Sequence, residues 1–444
     1  MQNTNFDTAG FCRLDITPPL DTDMQGYFYE RKAKGVHDPL YVNAVAFGNG
    51  DKHAVIMVCD LIGIYSDAAR LWPQKIAKAL NLEPTAVFLC HTHTHTGATV
   101  TDSNLNGESK SDKLYDEWLF RRLHDAAKMA INDCKPITAI RTWEGECNSV
   151  AFSRRFQMKD GSYQTWANYL DPNISDYACK ADESLRFARI VREDDTELVI
   201  VNFQCHPDCV STDFYSADYP GFLRNKIEKE KNNVKCLFLN GAEGQIVCND
   251  WWHDSVIRTK YKIAIHVGEK LADVVLQHFD EATLINGNGV SFDQSEIQHK
   301  TKWDPVRMPE AERIIALHEA GRDDDIGPDW IATPLVSESY HIRKLNKEDC
   351  DNSSLTISAV TIGGLAFLGI PGEPFCEIGE YIRERSPYAT TMICCQTNGC
   401  LGYFATSAAY DQGGYEPRNS PFARGVAENI METSEQLLNK LSAK

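Results

Sequence analysis

Short runs of apolar, often β-branched residues recur along this chain, at 42–47, 54–59, 86–90, 198–203, 236–239, 365–370 and 392–395. Runs of this length read as buried strands. Between many of them lie segments with helical spacing of apolar side chains, at 67–80, 114–134, 219–231, 257–278, 374–385 and 422–441. The alternation predicts an α/β fold in which mixed β-sheets are flanked by helices. The polar, alternating stretch 283–302 reads as exposed antiparallel strands. Residues 303–335 are charged and carry Pro305, Pro309, Gly321 and Pro328, the pattern of a helical insertion with flexible edges. Without internal repeats or low-complexity tracts, residues 1–444 are expected to form a single compact unit.

Composition narrows the class of function. Apolar residues make up 43% and charged residues 24% of the chain, close to globular averages, which excludes global disorder. Sixty-three acidic against 45 basic side chains give a formal charge of -18. Such a chain repels phosphate backbones and anionic membranes, so nucleic acid is not an expected partner. No basic segment followed by an apolar stretch opens the sequence, and no apolar run approaches about 20 residues, so no transmembrane segment is expected and the localisation reads as cytoplasmic. The 15 cysteines are odd in number and form no CxxC pair, which favours buried, reduced thiols over a disulfide framework or a zinc ribbon.

The apolar run TAVFLC leads directly into HTHTHTG at 91–97. If the backbone stays extended, His91, His93 and His95 project to one face, with neighbours about 6.5–7 Å apart. Neutral imidazole offers a lone pair at physiological pH and is a favoured zinc ligand. A lone histidine at a strand end is usually only hydrogen-bonded there, but three alternating ones among 13 in the chain favour a metal. Thr92, Thr94 and Thr96 would face the other way, and Gly97 would let the chain turn sharply. A second imidazole, His206, stands in Cys205-His206-Pro207 where the strand LVIVNFQ ends; a hydrogen-bonded core histidine is its alternative. Glu373 lies between two prolines after the strand LAFLGI, where a carboxylate needs compensation. A metal ion or a favourable helix N-terminus would each supply it.

Read together, DITPP at 15–19, MQGY at 24–27, GVHDPLYVNAVAF at 35–47, HTHTG at 93–97, CHPD at 205–208, PGEPF at 371–375 and the segment 403–415 resemble the catalytic domain of the neutral and alkaline ceramidases, zinc-dependent amidases, and their shorter bacterial relatives. The stretches follow the family's order over nearly the whole chain. The resemblance implies Zn2+ held by His93, His206, Glu373 and Tyr403, with His95 facing substrate and His91 in support. It also implies Tyr415 as a catalytic tyrosine, and a catalytic arginine that falls on Arg154, with Arg155 the alternative one residue on. The implied reaction is hydrolysis of the amide bond of an N-acyl, ceramide-like substrate by a metal-activated water.

Two departures bear on the substrate. The family's Gly-Asp-Val-Ser-Pro-Asn stretch is Gly244-Gln245-Ile246-Val247-Cys248-Asn249 here, and no C-terminal β-sandwich is expected after the catalytic unit. A zinc hydrolase of a smaller polar amide, ester or lactone is therefore the second reading, and a metal-dependent binding protein without catalysis the third. A metallo-β-lactamase-like site would need an aspartate-histidine step where Thr96 and Gly97 stand. Trp251, Trp252 and His253 could line a substrate pocket or pack in a core.

Overall fold

The computed structural model describes residues 7–27, 31–101, 110–253, 260–347 and 351–443. Its centre is a long mixed sheet of β1 (Asp7–Asp15), β2 (Tyr41–Asn49), β3 (Lys52–Cys59), β4 (Val87–His91), β5 (Lys135–Glu146), β6 (Ser184–Arg192), β7 (Glu197–Phe203) and β8 (Val234–Asn240). The spatial order is β8-β7-β6-β5-β1-β2-β3-β4, with the short strand Thr283–Leu284 beside β5. Both edge pairs, β3 with β4 and β7 with β8, are parallel; the inner pairs are antiparallel. A second sheet runs β9 (Val290–Lys300), β10 (Asn352–Ile362), β11 (Leu365–Gly369) and β12 (Thr390–Cys394).

Side-chain alternation sets the layers. Val42, Ala44 and Ala46 of β2 pack towards helices α1 (Ser66–Ala79) and α2 (Lys113–Asn132), against Ile76, Leu119 and Leu123. Val45 and Phe47 point to the other face and meet Val360, Phe367 and Met392 of the second sheet. The Phe47 and Phe367 rings stack across this interface at 5.7 Å. On the other half of the long sheet, Val199, Val201 and Phe203 bury against Leu223 and Ile227 of α3 (Asp218–Glu230) and Val267 and Leu271 of α4 (Lys260–Gln277). The expected start of α4 at Ile257 lies outside the described residues. Ile357, Ala366, Leu368 and Ile393 cover the outer face of the second sheet together with Ile378 and Ile382 of α5 (Cys376–Arg385) and Ile430 and Leu437 of α6 (Val426–Ser442). The result is helices, sheet, sheet, helices, held by apolar side chains that each contribute about 1.5–3 kcal/mol on burial.

The stretch read as exposed antiparallel strands is β9, paired antiparallel with β10 along its length. The charged segment that follows forms two helices, Met308–Glu319 and Asp329–Lys347. They pack on one another through Ile314, Ile315, Val336 and Tyr340. The second helix carries Pro334 inside it and extends past the boundary expected from the proline pattern. Its Ser337 and Glu338 hold Asn419 and Arg418 next to the segment that bears Tyr415.

No helix among the described residues is long and apolar enough to cross a membrane. The described cysteines are free thiols.

Candidate metal centre

Parallel strands deliver their C-terminal ends to one place, and here two sheets do so together. His93 follows β4, His206 follows β7, Glu243 follows β8, Glu373 follows β11 and Gln396 follows β12. The loops are stitched across the sheets. Cys395 N–H donates to the Asn240 carbonyl, Asn398 exchanges hydrogen bonds with Leu89, and the Asn240 amide donates to Thr92.

The histidine run does not converge by strand alternation. β4 stops at His91, and His93 takes a left-handed conformation with φ 70. The turn is fixed by N–H donation from Thr92 to Cys59 and from His93 to Leu61, and by the Thr94 and Thr96 hydroxyls donating to Ser216. His91 consequently lies apart, its Nδ1 donating to Gln396. Gly97 serves by close approach rather than by a special φ: a Cβ there would sit 3.3 Å from the Asp60 carbonyl and the Leu61 backbone.

Three imidazoles are oriented alike. A carbonyl can only accept, so each Nδ1 carries the proton: His93 donates to Ile62 at 2.8 Å, His95 to Gly26 at 3.0 Å, and His206 to Glu243 at 3.0 Å and Ile246 at 3.1 Å. The Nε2 lone pairs are left to face inwards. His206 Nε2 lies 3.2 Å and His93 Nε2 3.6 Å from Glu373 Oε2. Backbone-anchored imidazoles of fixed tautomer are the arrangement that metal-ligating histidines adopt.

Electrostatics sharpen this. Burial lowers the His93 and His95 pKa, and burial with the Arg154 charge holds His206 down to about 4. Burial raises the Glu373 carboxyl, while Arg154 and, when protonated, the His93 and His206 rings lower it. With the imidazoles neutral, their Nε2 lone pairs face the Glu373 oxygens with no proton between them, an arrangement that a bound cation would relieve.

Donor atoms of His93, His206, Glu243 and Glu373 lie within 4.8 Å of one another, as do those of His93, His95 and His206. Glu243 is absent from the sequence-derived set. Its carboxylate is fully buried with no N–H or O–H donor on either oxygen, and burial with the nearby Glu373 raises its pKa well above the usual carboxylate range, against a weak lowering by the Cys395 thiol. The buried Nε2 of His95 is likewise unpartnered. This donor set fits a divalent ion. A separate group, Cys179, Cys376 and Glu377, already grips the Gln245 amide.

Tyr403 pairs with Glu373 in a two-residue parallel bridge, and its ring lies 5.5 Å from that of Tyr415. The Arg154 guanidinium carbon stands 5.4 Å from the Tyr403 ring and 5.8 Å from the Tyr415 ring. Arg154 Nε donates to Glu416 and Nη2 to the Gly244 carbonyl, so two of its nitrogens are committed to the protein. Arg155 turns the other way, to Glu416, Gly413 and Gln412. Its guanidinium packs over Phe375. Trp251 and Trp252 pack with Phe156, Met158 and Ile174 in a satellite core, which accounts for the tryptophan pair without a ligand.

Fold and site together define a layered α/β protein with a buried histidine-carboxylate centre at the C-terminal ends of its strands. The chain is similar to neutral ceramidase from Pseudomonas aeruginosa, with a TM-score of 0.73 and 16% sequence identity over 99% of this chain and 75% of that one. It is similar also to a ceramidase complexed with C2, at a TM-score of 0.77 and 15% identity, covering 99% and 76% of the two chains. The expected ceramidase-like fold is therefore present over 99% of this chain. No protein-family model and no curated protein matches it.

Proposed function

We propose that this protein is a zinc-dependent hydrolase that cleaves the amide bond of an N-acyl, ceramide-like substrate. One observation carries the reading: imidazoles from separate strand ends, each locked by its Nδ1–H to a backbone carbonyl, turn their Nε2 atoms on a buried carboxylate. Its likeness in fold to ceramidases supports the choice of bond. His93, His206, Glu373 and Tyr403 would hold the ion. Zinc bound there would supply Lewis acidity, bringing the pKa of a water from 15.7 to about 7.

The chain's own residues then have separable tasks. His95 Nε2 is buried and free, so it can hold a proton at the leaving nitrogen. Arg154 is held rigidly by Glu416 and the Gly244 carbonyl, and its remaining edge, beside the Tyr403 and Tyr415 rings, can donate to a developing oxyanion. Tyr415 joins it from the start of a short helix, its backbone N–H fixed by Thr165. The free thiols of the described cysteines support a cytoplasmic setting.

The test is elemental analysis of the purified protein beside a hydrolysis screen of N-acyl amines from acetyl to palmitoyl, with matching esters and lactones. Zinc content, turnover of long-chain amides and loss of that turnover on chelation are expected. Turnover confined to acetyl compounds, esters or lactones would replace the substrate assignment; binding without turnover of any of them would replace the enzyme with a binding protein.

A further inference from the structure

We infer that Glu243 is a second carboxylate ligand of the same metal centre, joining His93, His206, Glu373 and Tyr403 in the donor set. The inference rests on the metal reading above and adds a residue to it. Glu243 sits in the turn Asn240-Gly241-Ala242-Glu243-Gly244 that leaves β8, and it works in two directions. Its carbonyl accepts the His206 Nδ1–H at 3.0 Å, while its side chain enters the cluster of His93, His206 and Glu373.

Three properties single it out. It is wholly shielded from solvent, and its oxygens meet no N–H or O–H donor, the Cys395 thiol being the one weak partner disposed alongside among the described residues. An ionised carboxylate left so would cost several kcal/mol. Its location is over-determined: Gly241 accepts its N–H, Ile246 donates to its carbonyl, and Gly244 N–H donates to Pro374 in the turn that carries Glu373. A Cβ on Gly244 would lie 2.7 Å from the Glu373 carbonyl, so the two carboxylate-bearing turns are packed as close as glycine permits. Charge also favours it: two carboxylates match the two charges of a divalent cation, of which Glu373 alone meets one.

Zinc and cobalt(II) titrations of the full chain, metal alone against a competing chelator, test this in wild type and in Glu243→Gln, which keeps the shape and would replace a merely protonated, structural glutamic acid. Loss of a direct ligand should weaken zinc by more than the roughly 100-fold that supporting residues account for. It should also shift the d–d absorption bands of the cobalt form. Unchanged bands in Glu243→Gln, at any affinity, overturn the inference. Should that variant not fold, Glu243→Asp in the same assay decides, a band shift supporting ligation and an unaltered spectrum overturning it. Wild-type protein that takes up neither metal would instead overturn the metal reading itself.

Discussion

Arg154 and Glu416, 262 residues apart in the chain, meet in a fully buried ion pair at 2.8 Å. Glu416 accepts also from Arg155 at 3.1 Å and from the Thr165 hydroxyl at 2.9 Å, so one carboxylate compensates two interior guanidinium groups. Removing the shared carboxylate leaves two buried guanidinium groups without the anion that both contact. Glu416→Gln should therefore cost about 3–5 kcal/mol of stability, read from urea or guanidinium unfolding. A loss under about 1 kcal/mol would mean that water already shares this site.

The two arginines should separate in kinetics. Lysine keeps the charge but not the planar fork, and at Arg154 the fork is what spans Glu416 and Gly244 while leaving an edge over the tyrosines. Arg154→Lys should lower kcat about 100-fold, whereas Arg155→Lys, whose contacts are all to protein, should change kcat little and lower Tm. Equal kinetic effects would return the assignment to either residue.

Gly26 is the wall behind His95. It has φ +124, and a Cβ there would lie 2.9 Å from the imidazole ring whose Nδ1 its carbonyl accepts. Gly26→Ala should displace the ring and reduce turnover by on the order of 100-fold while zinc content stays at the wild-type level. Parallel loss of zinc would instead make His95 a ligand, consistent with its grouping beside His93 and His206.

Acid-base behaviour of the fold should carry the mark of Asp218. Burial pushes its carboxyl up to about 7, over the opposing effect of the Tyr219 N–H it accepts and with the like charge of Asp208 adding to the rise. Unfolded, an aspartate titrates at about 3.9. Between those values the native state holds the proton and the unfolded chain does not, so stability falls as pH rises through the window. Asp218→Asn cannot ionise. Whatever its absolute stability, its unfolding free energy should improve relative to wild type from about pH 4 to about pH 7; a constant difference would show the carboxyl already ionised below that range.

Much of this centre could be read from residue order. His206 and Glu373 each stand directly after an apolar run, where a polar side chain must find a partner inside the protein, and their positions after β7 and β11 follow from that rule. The extended geometry that would align the histidine run on one face does not hold in the structure. His93 leaves the strand through a left-handed turn, set by contacts to Leu61 and Ser216 from other segments, and no local periodicity encodes such contacts. Glu243 is not conspicuous in the sequence, because a glutamate between Ala242 and Gly244 has the composition of an exposed turn. The signal was nevertheless there: the run CLFLN before it is a buried strand of the same kind as the one before Glu373. The helices after β9 followed their prolines poorly, since Pro334 is accommodated inside a helix whose packing onto Ile314 and Ile315 outweighs the lost hydrogen bond.

The layering has one more consequence. His93, His206 and Glu243 follow strands of the long sheet and Glu373 one of the four-stranded sheet, so an ion shared among them would be a clasp across the seam of the sandwich. Filling it adds RT ln(1 + [L]/Kd) to the free energy that keeps the halves shut. Slippage between them would scatter the ligands before either sheet lost its own hydrogen bonds, and the earliest sign of thermal damage in this protein would be metal release rather than loss of secondary structure.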